Sequence, residues 1–269
     1  MSGPVPVRVR VLVLTCLRRD YASRCLSTLV ATPGVAVVGA ILAHGGTPGR
    51  SERGKKWRKA FRIGFLGALN GIRMRDWYRD PDAPDLEAEC RRLGVPFHET
   101  PFLNCDTTRE LFRAAHADIG LSLGNGYIAE SVFAIPRLGM LNIHTELLPS
   151  FQGGLGVIWP IHEGLAETGF TIHRVARKLD AGDIVVQERY PIAFRPTLGE
   201  TVRATMAIAR ARVPAAFAAT CANLDAAIAA ARAQQPGRTY TTPTFREFLR
   251  MRRNHRRLRD QASRSPVDR

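Results

Sequence analysis

Four short runs in this chain are apolar at almost every position rather than at every second one. They are VRVLVLT (9–15), VAVVGAIL (35–42), IGLSLGN (119–125) and GMLNIH (139–144). A strand with one face in water alternates apolar and polar residues; a nearly continuous apolar run belongs to a strand covered on both faces. Between these runs lie stretches with helical spacing: DYASRCLSTLVAT, DLEAECRRLGV, TTRELFRAAHA and YIAESVFAI. Strands alternating with helices imply a parallel sheet sandwiched by helices, and in such sheets ligands bind beyond the carboxyl ends of the strands. The expected fold is therefore α/β, a Rossmann-like doubly wound, mainly parallel sheet.

The second half reads differently. TGFTIHRV (168–175) and DIVVQERYPI (183–192) look like strands joined through AGD. Residues 198–233 are Ala-rich and read as helix, with an interruption expected at Pro214. The expected organisation is a domain over 1–195 with a basic insertion at about 47–80, a mostly helical extension over 196–261, and a disordered tail over 262–269. No internal repeat is visible.

At 269 residues and 45% hydrophobic content the chain can bury a large core. Its apolar runs are too short to span a bilayer, and the N-terminal run reads as a strand rather than a signal peptide. Five cysteines, scattered and without a CxxC pair, fit free thiols in a cytoplasmic protein. The formal charge of +15 points to an anionic partner or to an Arg-rich composition alone. It concentrates in RSERGKKWRKAFR (50–62) and REFLRMRRNHRRLRDQ (246–261). Residues 55–78 mix bulky apolar and basic side chains, as an amphipathic helix does. Such a helix packs on the core or a partner, or touches an anionic membrane surface.

Chemistry-bearing residues gather at the end of the fourth run, in LNIHTELLPSFQGG (141–154). Asn142 and His144 alternate by two on a strand and so share a face. Pro149 ends the extended stretch, and Gly153-Gly154 allows backbone that other residues resist. Asp180, in KLDAGDI, follows His144 by 36 positions. Alone, each is ordinary: a strand-end Asn or His is commonly a structural hydrogen-bonder, and LDAGD is a turn. Together, an amide donor, an imidazole and a carboxylate suit stabilisation of an oxyanion formed when a carbonyl is attacked. No GxSxG elbow and no nearby Cys supplies a covalent nucleophile. None of the seven histidines forms HExxH or a His–Cys ligand pair, so no metal is expected. No GxGxxG follows the first strand, where LTCLRRDYAS stands instead.

NIHTELLPSFQGG followed by the Asp of LDAGDI resembles the folate-dependent formyltransferases. That family includes glycinamide ribonucleotide, methionyl-tRNA and nucleotide-sugar N-formyltransferases. LGNGYIAESVFAIPRLGMLNIH and TGFTIH extend the resemblance over about residues 8–195. It implies 10-formyltetrahydrofolate as co-substrate and Asn142, His144 and Asp180 as the catalytic set. Asn142 and a protonated His144 would stabilise the oxyanion, and Asp180 would hold His144 and assist proton transfer. The resemblance also implies that the pteridine lies against backbone at Gly126, Tyr127 and Ile128 and along the loop of Arg177, Leu179 and Asp180. Thr171 and His173 would edge the pocket, His173 as a wall filler.

Two departures bear on the acceptor. Glu146 stands where the family often has Ser, either contacting a cationic acceptor or capping the loop, and the next loop reads SFQGGLGVIWP. GRSERGKK resembles the tRNA-contacting loop of the methionyl-tRNA enzymes, yet the residues after 195 read as helix rather than the β-barrel those enzymes carry. A deformylase is disfavoured because the first strand starts near residue 7, leaving no preceding regulatory domain. The glycine loop of glycinamide ribonucleotide enzymes is missing. The remaining acceptor is a small-molecule amine, an amino sugar on a nucleotide or a related amine. Alternatives kept are aminoacyl-tRNA formylation and a non-catalytic folate-binding or RNA-binding protein. A homodimer is carried over from the amino-sugar enzymes alone.

Overall fold

The computed structural model describes residues 8–47, 63–64 and 67–264. The basic run 50–62 and residues 265–269 lie outside them. Seven strands form one sheet in the order β3-β2-β1-β4-β5-β6-β7. They are β1 (Val9–Thr15), β2 (Val35–Ala43), β3 (Phe97–Thr100), β4 (Ile119–Ser122), β5 (Met140–His144), β6 (Glu167–Arg174) and β7 (Ile184–Pro191). The first five are parallel; β6 and β7 run antiparallel to their neighbours.

Successive residues of β1 enter opposite cores, which accounts for its continuous apolar run. Val11 and Val13 pack with α1 (Tyr21–Ala31) and α7 (Leu198–Ala222). Leu12 and Leu14 pack with Phe112 of α4 (Asp106–Ala115) and Val132 of α5 (Glu130–Phe133). Both faces are thus covered, as a parallel sheet requires. The chain winds outward from β1 to β3 on one side and from β4 to β5 on the other. The reversal between β1 and β4 opens a crevice at their carboxyl ends.

Residues 67–75 are helical (α2) and lead into a 3-10 turn, Asp76–Tyr78. Met74 and Trp77 from this stretch are buried in the main core, so the amphipathic pattern is used for packing where it is described. α3 (Leu86–Leu93) starts on the side chain of Asp85, which accepts from the Ala88 N–H, and stops at the left-handed Gly94. α6 (Ile158–Glu163) and β3 are short elements that the sequence reading did not name.

The helical extension shares the main core with the sheet. Val202, Ala209, Val213 and Phe217 of α7 are in the same buried cluster as Val11 and Leu141. The interruption expected at Pro214 does not occur, because α7 runs unbroken to Ala222 and then continues as α8 (Leu224–Ala229). A proline deletes one helix hydrogen bond, and the packing of Val213 and Phe217 on either side holds the helix through that loss. The final helix, α9 (Phe245–Ala262), opens with a capping box between Thr244 and Glu247 and buries Phe248, Met251, His255 and Leu258. It ends at Ala262, where the tail was expected to begin. No helix among the described residues is long and apolar enough to cross a membrane.

Candidate active site

The sheet register brings three polar side chains from three adjacent strands into one row. Ser122 of β4 and His173 of β6 both lie opposite Asn142 of β5. The Ser122 hydroxyl donates to Asn142 Oδ1 at 2.9 Å, and Asn142 Nδ2 lies 3.1 Å from His173 Nε2. On its other side His173 Nδ1 lies 2.9 Å from the Arg174 carbonyl oxygen, which can only accept. His173 therefore carries its proton on Nδ1, and its bare Nε2 accepts from the Asn142 amide. Burial pushes the His173 pKa well down, against the opposing pull of Asp180, and keeps the ring neutral. The Asn142 amide is thus oriented from both ends, with one N–H left over.

His144, two residues on, sits opposite Thr171. Its Nε2 donates to the Phe151 carbonyl at 2.6 Å. Its Nδ1 lies 3.7 Å from Asp180 Oδ2, within ion-pair reach but beyond a hydrogen bond. The other Asp180 oxygen is 3.6 Å from His173 Nε2. Asp180 adopts a left-handed φ of 51°, a conformation Asp tolerates better than most residues. Its carboxylate accepts from the Gly153 N–H at 3.0 Å, and Gly153 is itself left-handed at φ 67°. The glycine pair of the LPSFQGG loop thus gives Asp180 a backbone donor.

These groups open onto a cavity of about 230 Å³ at the carboxyl ends of β4 and β5. Asn142, His144, His173 and Asp180 form its polar floor; residues 126–128 and Val175, Ala176 and Leu179 complete its walls. The 126–128 wall is held by Asn104, whose Nδ2 donates to the Tyr127 carbonyl and whose Oδ1 accepts from the Ala129 N–H. Asn125 donates to the Leu14 carbonyl and to Ser122, while its own Oδ1 has no partner. No group of three or more His, Cys, Asp or Glu side chains suited to a metal occurs among the described residues.

Residues 111–216, which contain this floor, match the formyl transferase family. Over this stretch the chain resembles the formyl transferases. A methionyl-tRNA formyltransferase of Bradyrhizobium sp. is 35% identical over 116 residues, covering 43% of this chain and 37% of the relative. One of Listeria monocytogenes is 32% identical over 117 residues, covering 43% and 38%. The chain therefore spans about two fifths of the length of these curated relatives. A sugar 3N-formyl transferase solved with dTDP and 5-N-formyl-THF superposes with a TM-score of 0.58 at 15% identity, covering 96% of this chain and 82% of that one. A Helicobacter canadensis N-formyltransferase, solved with folinic acid and dTDP-3-aminofucose, gives 0.55 at 14% identity, covering 87% and 71%. At such identities the likeness is one of fold, and it extends over the helical extension.

Within the matched stretch the residues expected at the site divide into two groups. Asn142, His144, Asp180, Gly126, Tyr127, Ile128, Leu179 and His173 all line the cavity. Three others lie off it. The exposed Arg177 turns its guanidinium to Glu130 at 2.7 Å. Thr171 is fully buried, donating to the Glu146 carbonyl at 2.7 Å and accepting from the Leu148 N–H at 3.1 Å. Glu146 is also fully buried; it accepts from the Val157 N–H and from the Thr168 hydroxyl, which fixes Val157 at an unusual φ of 71°. Of its two expected roles, loop capping is the one its position serves. Burial pushes its pKa up to about 8. The reading missed Ser122, Asn125 and Asn104; the first two fall within IGLSLGN (119–125), a stretch read as a strand but not searched for side-chain roles.

Proposed function

We propose that this chain transfers the formyl group of 10-formyltetrahydrofolate to the primary amine of a small-molecule acceptor, an amino sugar on a nucleotide or a related amine. The observation that carries this reading is the convergence of Asn142, His144 and Asp180 on one cavity walled by backbone. An uncharged acceptor amine attacks the formyl carbon, forming the new C–N bond and placing negative charge on the formyl oxygen. The spare Asn142 N–H and the His144 imidazole face that oxygen. In the imidazolium form that the resemblance implies, His144 keeps its Nε2–H on the Phe151 carbonyl and would offer Nδ1–H to the oxyanion. Collapse breaks the bond from carbon to the donor nitrogen, which takes up the proton given by the amine. Asp180, between His144 and His173, is placed to pass that proton. The products are the formamide and tetrahydrofolate.

The cavity fits such a donor in kind. A pteridine edge carries alternating donors and acceptors, and the walls at 126–128 and at Val175, Ala176 and Leu179 offer backbone partners. Asn125 Oδ1 supplies a further acceptor without a partner of its own. A small acceptor agrees with a likeness to sugar formyltransferases over 96% of the chain, whereas similarity to the tRNA enzymes covers 43%.

The test is tetrahydrofolate release from 10-formyltetrahydrofolate with a panel of amines: nucleotide-linked amino sugars, glycinamide ribonucleotide, amino acids and charged initiator tRNA. Release that depends on an amino sugar and is lost in His144→Ala supports the reading. Release only with tRNA replaces the acceptor, and amine-independent release makes the protein a hydrolase of the donor.

A further inference from the structure

A second cavity, of about 390 Å³, lies where the N-terminus of α7 meets α9 and the end of α2, and it shares no residue with the first. Its lining contains no acidic side chain. Arg73, Arg203, Arg252 and Arg256 all line it, and among the described residues none of the four has a carboxylate within ion-pair distance. The fifth arginine there, Arg259, is already engaged with Asp260 at 2.8 Å and the Pro196 carbonyl at 3.1 Å. Glu200 on the first turn of α7 is turned back on Thr197, accepting from its N–H at 3.0 Å and its hydroxyl at 2.9 Å.

Four guanidinium groups around one concavity repel one another unless an anion sits among them. Guanidinium forks match phosphate oxygens in pairs, which a lone ammonium does not. The backbone at Leu198 and Gly199 adds to this, because the first N–H groups of α7 have no partner inside the helix. The floor is apolar: Trp77 and Phe248 stack with centroids 6.4 Å apart and an interplanar angle of 30°. Trp77 also sits so close to Gly199 that a Cβ there would lie 2.7 Å from the indole nitrogen. The volume lies in the range of small-ligand pockets, and a concave cleft with an aromatic floor suits a compact anion better than a long polymer.

We propose that this cleft is a second ligand site, which takes a small metabolite carrying a diphosphate or similarly charged phosphate group. It stands apart from the formyl-transfer reading, and either can fail without the other.

Calorimetric titration of the full-length protein with inorganic pyrophosphate and, separately, with ADP tests it. Saturable binding is expected, weakened about tenfold or more in Arg252→Ser/Arg256→Ser. The same affinity within about twofold is expected in Arg246→Ser/Arg250→Ser, which removes equal charge from α9 outside the cleft. Tighter binding of ADP than of pyrophosphate would assign the aromatic floor to an organic moiety. Equal binding would mean that the phosphates alone are read, and both results support the site. Circular dichroism of each variant establishes that the fold persists. The proposal is overturned by absence of saturable binding with both probes, by equal loss in the two double variants, or by binding of a short single-stranded RNA that pyrophosphate does not displace.

Discussion

Asn142 depends on a neighbour for its direction, and that neighbour works only when uncharged. A protonated His173 has no lone pair for the Asn142 amide, so under the proposed function His173 would be a positioning residue. His173→Ala should lower kcat about 100-fold with KM little changed, the size of effect seen when one oxyanion donor is lost; steady-state kinetics with whichever amine of the panel supports tetrahydrofolate release would show it. Because burial depresses the folded-state pKa of His173 below its ordinary value of 6.5, the unfolded chain takes up the proton first. Stability from this residue is complete above that value and is lost as pH falls through the folded one. Glu146 has the opposite sign. Its pKa rises from 4.5 to about 8 on burial, so its contribution is complete below 4.5 and is lost as pH climbs through about 8. Glu146→Gln should therefore flatten the fall in Tm between pH 5.5 and 8.5, with the Val157 N–H still accepted by the amide oxygen. A Tm profile as steep as that of the parent would contradict this. Asn142, His144 and Asp180 were legible in the sequence because their chemical types coincide at a strand end and a turn. That Thr171 and Arg177 lie off the cavity, and that Glu146 caps its loop, was not legible, because neither strand alternation nor loop spacing says which side chains reach the cavity. Ser122 was passed over as one polar position inside an apolar strand, and Asn125 because an Asn after a strand reads equally well as a turn.

Among the elements, the long strands announced themselves, since β1 and β2 must be apolar on both faces. β3, with exposed His98 and Glu99, has no such run and was invisible until its partner β2 was in place. The helix α7 was legible in extent but not in its continuity through Pro214. Propensity argues locally, whereas Val213 and Phe217 are fixed by contacts with the sheet. Pro214→Ala should restore one hydrogen bond and raise Tm by a few degrees, at about 2–4 °C per kcal/mol for a chain of this size. Phe217→Ala, by contrast, removes a fully buried ring and should cost roughly 3–5 kcal/mol in denaturant unfolding.

For the molecule as a whole, the sequence carried the layered plan and the position of the crevice, because both follow from the alternation of strands and helices. It did not carry the way α9 returns to cover Trp77, since an Arg-rich helix with four buried positions looks much like a solvated one. Met251 is fully buried at that junction, and Met251→Ala should cost roughly 2–5 kcal/mol, measurable by urea titration. A chain shortened to residue 264 should keep the parent Tm, because α9 ends at Ala262 and its buried residues Phe248, Met251, His255 and Leu258 all precede that cut. The hydrogen bond from Gly153 to Asp180 has a practical side. It ties a main-chain amide to the one carboxylate on which the imidazoles of β5 and β6 converge. In an isotope-labelled sample the Gly153 resonance is thus a built-in gauge, shifting whenever an arriving molecule draws that carboxylate away, even with a donor analogue that cannot react.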